Sequence, residues 1–372
     1  MRIPVLHRQV LMSVMFGLLW NTPLQGEHFM PSTKGKKLIE YGWDCPNTAY
    51  VRQHITDMEK RPFDGVIIQV TKTREPRLGG TEDTLGWQTF STYRFQPQDY
   101  EHAIADLKAT KFRKFTDNFI QMISMPGIDW FDPGWESVAH NARVLARIAK
   151  QGRCVGLMFD PEEYGTQRIW TYSALPAERQ KEIPKERYVA KVMERGEEFM
   201  RAINSEFPNV KILCLFGPAL SLNGKSYDLL APFLEGMCRV ATPGTEIIDG
   251  YEQAYGFRTK EAFEEGRRTM KERSRELFQD KAAFDRVMRA GFGLWMDHGS
   301  NSRGGWFPDT PEKNYFQPDS YQSAIHYALS HSDRYVWIYS QLLNWWTSPT
   351  IGPAYEEAQR AARSKPGKAA TP

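Results

Sequence analysis

The residues of this chain best placed to do chemistry are carboxylates that close apolar runs. Val155-Gly156-Leu157-Met158-Phe159 leads straight into Asp160, followed by Pro161, Glu162, Glu163 and Tyr164. Thr245 to Ile248 leads into Asp249, and Phe292 to Met296 leads into Asp297 and His298. A carboxylate ending an otherwise apolar strand is costly to bury unless it is paired or used. Two such groups facing one cavity can act as acid and base, one kept protonated and the other ionised, and a glycosidic bond is one that such a pair breaks. Aromatic residues make up 13% of the chain, with 11 Trp, and supply flat apolar faces that stack on sugar rings.

Asp160, Glu162, Glu163, Asp249 and Asp297 are therefore the catalytic candidates. Tyr41, Trp43 and Asp44 after the first apolar run, Gln69 on the second and Glu252 after the sixth are candidates for substrate binding. Trp295 and His298 on the seventh, Trp337, Tyr339 and Gln341 on the eighth, and Trp345 just beyond complete that set. Residues two apart on a strand share a face. Gly156, Met158 and Asp160 then lie together, as do Ile247, Asp249 and Tyr251, Gly293, Trp295 and Asp297, and Trp337, Tyr339 and Gln341. An inward register of all four strands accounts for them together. The plainer reading of each aspartate is a helix cap or an ion pair with Arg168, Arg258 or Arg303. Asp160 ends its run directly, whereas Glu162 and Glu163 follow a proline. Asp160 is thus expected to be the ionised member, and Asp249 or Glu252, beside Tyr251 and Tyr255, the proton donor.

The elements that would position these residues alternate. Strands are expected at 38–43, 65–70, 117–124, 155–160, 211–216, 245–249, 291–297 and 335–340. Helices follow them, among them one after Thr48, one opened by Pro133 and ended by Gly152, and one closing the chain over 353–363. The charged segment 259–289 reads as one or two solvated helices. The aromatic-rich stretch 71–96 reads as an excursion on the same mouth. Eight strands alternating with eight helices make a single-domain α/β chain, a (β/α)8 TIM barrel spanning 38–363. No G-x-G-x-x-G opens a helix after the first strand, which argues against an open doubly wound sheet.

The span from Leu38 to about Arg363 resembles the catalytic domain of (β/α)8 glycoside hydrolases. The likeness rests on Phe159-Asp160-Pro161-Glu162-Glu163-Tyr164 and on Tyr335-Val336-Trp337-Ile338-Tyr339-Ser340 followed by Asn344-Trp345-Trp346. Similarity to retaining enzymes with an acid/base on strand four and a nucleophile on strand seven implies Glu162 or Glu163 with Asp297, where those enzymes carry Glu. Similarity to α-galactosidases and α-fucosidases implies Asp160 as nucleophile with Asp249 or Glu252. Asp160-x-Glu162 followed by Tyr164 also resembles the end of the D-x-E motif of chitinase-like enzymes, whose upstream aspartates are replaced here by Gly156 and Met158.

The charge balance of 48 basic against 45 acidic residues, net +3, gives no field to gather a nucleic acid. A carbohydrate substrate is expected, with no cofactor and no metal. Two rivals remain: a metal-dependent barrel enzyme using Glu162, Asp249, Asp297 and His298, and a carbohydrate-binding pseudoenzyme. No G-x-S-x-G elbow supports a serine triad. Arg2, His7 and Arg8 before the short apolar run 10–20 read as a secretory signal over residues 1–26, implying a secreted or periplasmic protein without stable membrane insertion. Cys45, Cys154, Cys214 and Cys238 show no metal spacing, and Cys154 and Cys214 read as small core residues. Residues 364–372 are expected to be a disordered tail.

Overall fold

The apolar runs become short parallel strands because they are buried on both faces, and the amphipathic segments between them become the helices that cover the sheet. In chain order these are β1 (Lys37–Gly42), α1 (Thr48–Met58), β2 (Gly65–Ile68), α2 (Glu101–Ala109), β3 (Phe119–Ile123), α3 (Trp135–Gln151), β4 (Gly156–Asp160), α4 (Ala177–Glu182), α5 (Lys185–Glu206) and β5 (Lys211–Cys214). There follow α6 (Leu230–Val240), β6 (Glu246–Asp249), α7 (Lys260–Arg268), α8 (Lys281–Val287), β7 (Met288–Ala290), β8 (Phe292–Trp295), α9 (Pro318–His331), β9 (Tyr335–Ser340) and α10 (Pro353–Ala361). The structure, a computed structural model, describes residues 29–125, 127–164, 168–299 and 304–367. The described residues from Ser32 on form one compact unit. The expected leader, residues 1–26, lies outside the described residues.

The strand order is β7-β6-β5-β4-β3-β2-β1-β9-β8, every pair parallel. The two edge strands are consecutive in the chain, separated only by Gly291, so the sheet closes into a barrel. The expected seventh strand, 291–297, is β8; the correction is the short strand β7 before it, which starts inside the segment 259–289 read as helical. β7 pairs with β6 and β8 with β9. At the break, a Cβ on Gly291 would lie 2.7 Å from Ile248 Cγ2 and 3.0 Å from the carbonyl oxygens of both Asp249 and Tyr335. Only glycine lets the chain cross between β6 and β9 that closely.

Two apolar cores follow from the alternation of side chains. Ile39, Ile67, Phe119, Met158, Leu213, Ile248 and Trp337 fill the barrel interior. Leu38, Ile120, Leu157, Phe159, Ile212, Ile247, Phe292 and Ile338 pack outward against the helices. Asn47, one residue ahead of the expected cap, caps α1 by accepting from Tyr50 N. Thr259 and Asp280 cap α7 and α8, and between those helices the chain makes a π-helical turn, Thr269–Arg273, and a 3-10 turn, Ser274–Leu277. The four cysteines are buried and free. Lys365 and Pro366, expected in the tail, are tied to α9 through their carbonyls by Gln322 Nε2. No described helix is long and apolar enough to cross a membrane.

Candidate active site

At the C-terminal ends of the strands a cavity of about 450 Å³ opens, within the range of small-ligand sites. Of the residues singled out in the sequence, Tyr41, Trp43, Glu162, Glu252, Trp295, His298, Tyr339 and Gln341 line it, joined by Gly42, Tyr164, Leu215 and Tyr255. None of the three strand-end aspartates lines it.

Asp160 ends β4 with the expected inward register, below the cavity and fully buried. Its Oδ1 accepts from Glu162 N at 2.9 Å, and its Oδ2 accepts from the Tyr164 hydroxyl at 3.0 Å. Burial, reinforced by the neighbouring Glu162 charge, pushes its pKa up to about 7. The aspartate thus fixes the turn that presents Glu162. Glu163 faces away and accepts from Trp170 N at 2.9 Å.

On β6 the register runs one residue off the expectation. Ile248 points into the barrel, so Ile247 and Asp249 point out to the helices. Asp249 packs against Gly217, where an added Cβ would fall 1.9 Å from the carboxyl carbon. Its Oδ1 accepts from Tyr251 N at 3.0 Å, and burial raises its pKa to about 7. Glu252, three residues on, is the β6 carboxyl that reaches the cavity. Desolvation, with the charges of Asp160 and Glu162 nearby, holds Glu252 well above the usual carboxylate range against a hydrogen bond with Tyr255.

Asp297 is buried, and the chain turns away after β8. Its carboxylate accepts from the backbone N–H of Gln341 at 2.9 Å, Leu342 at 2.6 Å and Leu343 at 2.9 Å, and from Trp295 Nε1 at 2.8 Å. Those donors use its lone pairs to anchor the loop after β9. Asp44 does the same nearby, accepting from Trp345 N at 2.9 Å. Burial pushes Asp44 up to about 7, and Glu40, which the sequence reading left in the strand, is raised well above its ordinary range beside it. Gln69 is buried, donating to the Cys45 and Gly79 carbonyls at 2.8 Å each. Trp337 and Trp345 are fully buried, Trp345 packed edge-on to Phe63 with ring centroids 4.8 Å apart.

The aromatic walls are real surfaces for a flat ligand. Trp43 is 43% exposed, stacks on Trp87 at 6.0 Å and meets Tyr164 edge-on at 6.3 Å. Trp87 belongs to the 71–96 excursion, which folds onto the mouth as expected. Tyr255 and Tyr339 stack at 5.4 Å with 13° between planes, and Trp295 stands edge-on to both. His298 sits between Trp295 and Tyr315 at centroid distances of 4.9 and 4.5 Å. Burial and Arg258 lower its pKa, so the ring is neutral and offers hydroxyl groups one donor and one acceptor. Leu215 and Tyr255 had no sequence signal as site residues beyond following strands five and six. Among the described residues no group of three or more His, Cys, Asp or Glu is placed to hold a metal ion.

No family model matches the chain, and no curated protein matches it. Solved structures that do match include a glycoside hydrolase family 5 enzyme from Prevotella bryantii, 12% identical over 84% of this chain and 86% of that one, TM-score 0.48. A broad specificity endoglucanase from Bacteroides salanitronis is 12% identical over 90% of this chain and 94% of that one, TM-score 0.48. A glucosidase from Croceicoccus marinus is 11% identical over 72% of this chain, TM-score 0.39, and the match spans 54% of the glucosidase. At such identities no residue role passes from one chain to the other, and the barrel here rests on its own strand order.

Proposed function

We propose that this chain hydrolyses a glycosidic bond of a carbohydrate, with Glu252 as general acid and Glu162 as its ionised partner. The observation that supports this most directly is that two carboxyls, from the ends of β4 and β6, line one aromatic-walled cavity, one of them raised well above the usual carboxylate range by burial and neighbouring charges. Burial alone raises a carboxyl, and neighbouring negative charges raise it further. Glu252 experiences both, which suits a group that must deliver a proton to a leaving oxygen at neutral pH. Glu162 then supplies the negative charge that stabilises the oxocarbenium-like centre. In this reading Asp160 holds the backbone of Glu162 through a hydrogen bond, a positioning role. A sugar ring in this reading lies against Trp43 or Trp295, with His298 and Gln341 reading its hydroxyls.

Hydrolysis of a glycoside panel by parent, Glu252→Gln and Glu162→Gln tests the assignment. Both variants should lose turnover by about 10²-fold or more on substrates with poor leaving groups. Glu252→Gln should recover on an activated aryl leaving group, which needs no protonation, and Glu162→Gln should not. Near-parental turnover in both variants, with Asp160→Asn or Asp297→Asn inactive, would overturn the pairing.

A further inference from the structure

The barrel has a second cavity, of about 490 Å³, at the opposite end from the mouth. Its position follows from the seam. β7 pairs in the ladder with β6 and β8 with β9, and below Gly291 the end of β7 meets the run into β9 through Asp333, whose N–H donates to the Ala290 carbonyl at 2.7 Å and whose carboxylate accepts from Ala290 N at 2.8 Å. Inward-facing Ile248 floors the cavity, and Glu246, Arg289, Asp333 and Arg334 from the strand starts wall it. Arg267 and Lys271 reach in from α7 and the π-helical turn after it.

The lining holds four cations against two carboxylates. The carboxylates are already engaged. Glu246 pairs with Lys211 at 2.9 Å and with Arg289 at 3.5 Å, and Asp333 pairs with Arg267 at 2.7 Å. Arg334 pairs outside the lining with Asp117 at 3.1 Å, which Lys37 shares at 3.2 Å. Asp285, the next carboxylate, is held by Arg275 at 2.8 Å. Lys271 is the exception among the cations. Its ammonium is half-buried and donates to the Met288 carbonyl at 2.9 Å; burial lowers its pKa most, Arg289 and Arg267 lower it further, and the charges of Asp333 and Asp285 offset this only in part. Asp333 is shared with Arg267 at 2.7 Å, so the half-buried ammonium beside two guanidinium groups is left short of negative charge, which a further anion would supply. The π-helical turn that delivers it is a rare conformation, frequent at functional sites.

We propose that this cavity binds an oxyanion, a phosphate, sulfate or carboxylate group, held by Lys271, Arg289 and Arg334. Guanidinium forks match such groups in two-point contacts, and an ammonium adds a point charge. The inference is independent of the hydrolytic reading, since the cavity shares no residue with the mouth.

Calorimetric titration of the full chain with inorganic phosphate at low ionic strength tests it. One site is expected, with a dissociation constant of about 1 mM or tighter. Lys271→Met and Arg334→Gln should each weaken it about tenfold or more, as loss of a charge-assisted contact predicts. Glu246→Gln, which removes a competing carboxylate, should tighten it, a result that mere structural damage would not produce. Sulfate and acetate titrations separate a demand for a tetrahedral dianion from one for any carboxylate. Absence of binding at tens of millimolar, or binding that all three variants leave unchanged, would overturn the proposal.

Discussion

Trp337, inside the barrel on β9, donates its indole Nε1–H to the carbonyl of Gly250 at 2.9 Å, across to the end of β6. The bond has consequences for Glu252 two residues on. Gly250 accepts it at the point where a Cβ would lie 2.8 Å from that indole nitrogen, and Tyr251 follows in a left-handed conformation, φ 42° and ψ 63°. A bulky residue at positive φ is strained and persists only where its surroundings impose it. Here Trp337 fixes one side of the turn and Asp249 Oδ1 the other, through Tyr251 N. Their joint effect is to bring Glu252 back over the mouth.

Trp337→Phe keeps an aromatic ring in the core but leaves the Gly250 carbonyl without its donor, a loss of about 1–3 kcal/mol for a buried acceptor. If the turn positions Glu252, turnover on poor leaving groups should fall more than turnover on activated aryl glycosides. Stability loss with an unchanged ratio between the two substrates would show a purely structural role.

Asp297 gives a contrasting expectation. Its carboxylate satisfies three consecutive backbone N–H groups of the loop that carries Gln341. Asp297→Ala should destabilise the fold by on the order of 3 kcal/mol, since several buried donors lose one charged acceptor. Denaturant unfolding measures this directly. A variant as stable as the parent yet devoid of turnover would instead mark Asp297 as a participant in the chemistry.

Much of this arrangement is legible in the sequence, and the exceptions have physical causes. The β4 end reads correctly because Gly156, Met158 and Asp160 contrast with the larger apolar Leu157 and Phe159. The β6 end does not, because Ile247 and Ile248 are alike and both buried, and the one charged residue of the run, Glu246, shares the inward face with Ile248 at the strand start, where a charge reads as outward. Its inward position at the strand end is Gly250, which has no side chain to betray it. The register of Trp295 is right, but the turn after Met296 that removes Asp297 from the mouth depends on contacts with residues 44 positions away. Glu40 beside Asp44, and the basic cavity at the seam, arise from ring closure, which no local pattern records. Trp337 and Trp345 are indistinguishable from surface platforms in sequence, yet both are core.

The buried Asp249 makes the last prediction, on stability against pH. Its folded pKa of about 7 stands above the model-peptide value for aspartate, near 3.9. Between those values the folded chain binds a proton that the unfolded chain has released, so stability falls as pH rises through that window. The contribution is complete below pH of about 4 and lost above about 7. Asp249→Asn keeps an oxygen for Tyr251 N and removes the titration. Unfolding measured at pH 5 and pH 8 should therefore show a smaller loss of stability on going to pH 8 in the variant than in the parent. The difference should be no more than about 3 kcal/mol, since the step from pH 5 to 8 crosses about two units of that window and each is worth about 1.4 kcal/mol. Other buried carboxyls, Asp44 and Asp160 among them, titrate in the same direction in both proteins and cancel in the comparison. An identical pH dependence in the two would mean that Asp249 is already ionised in the fold, its charge satisfied by the turn that begins at Gly217.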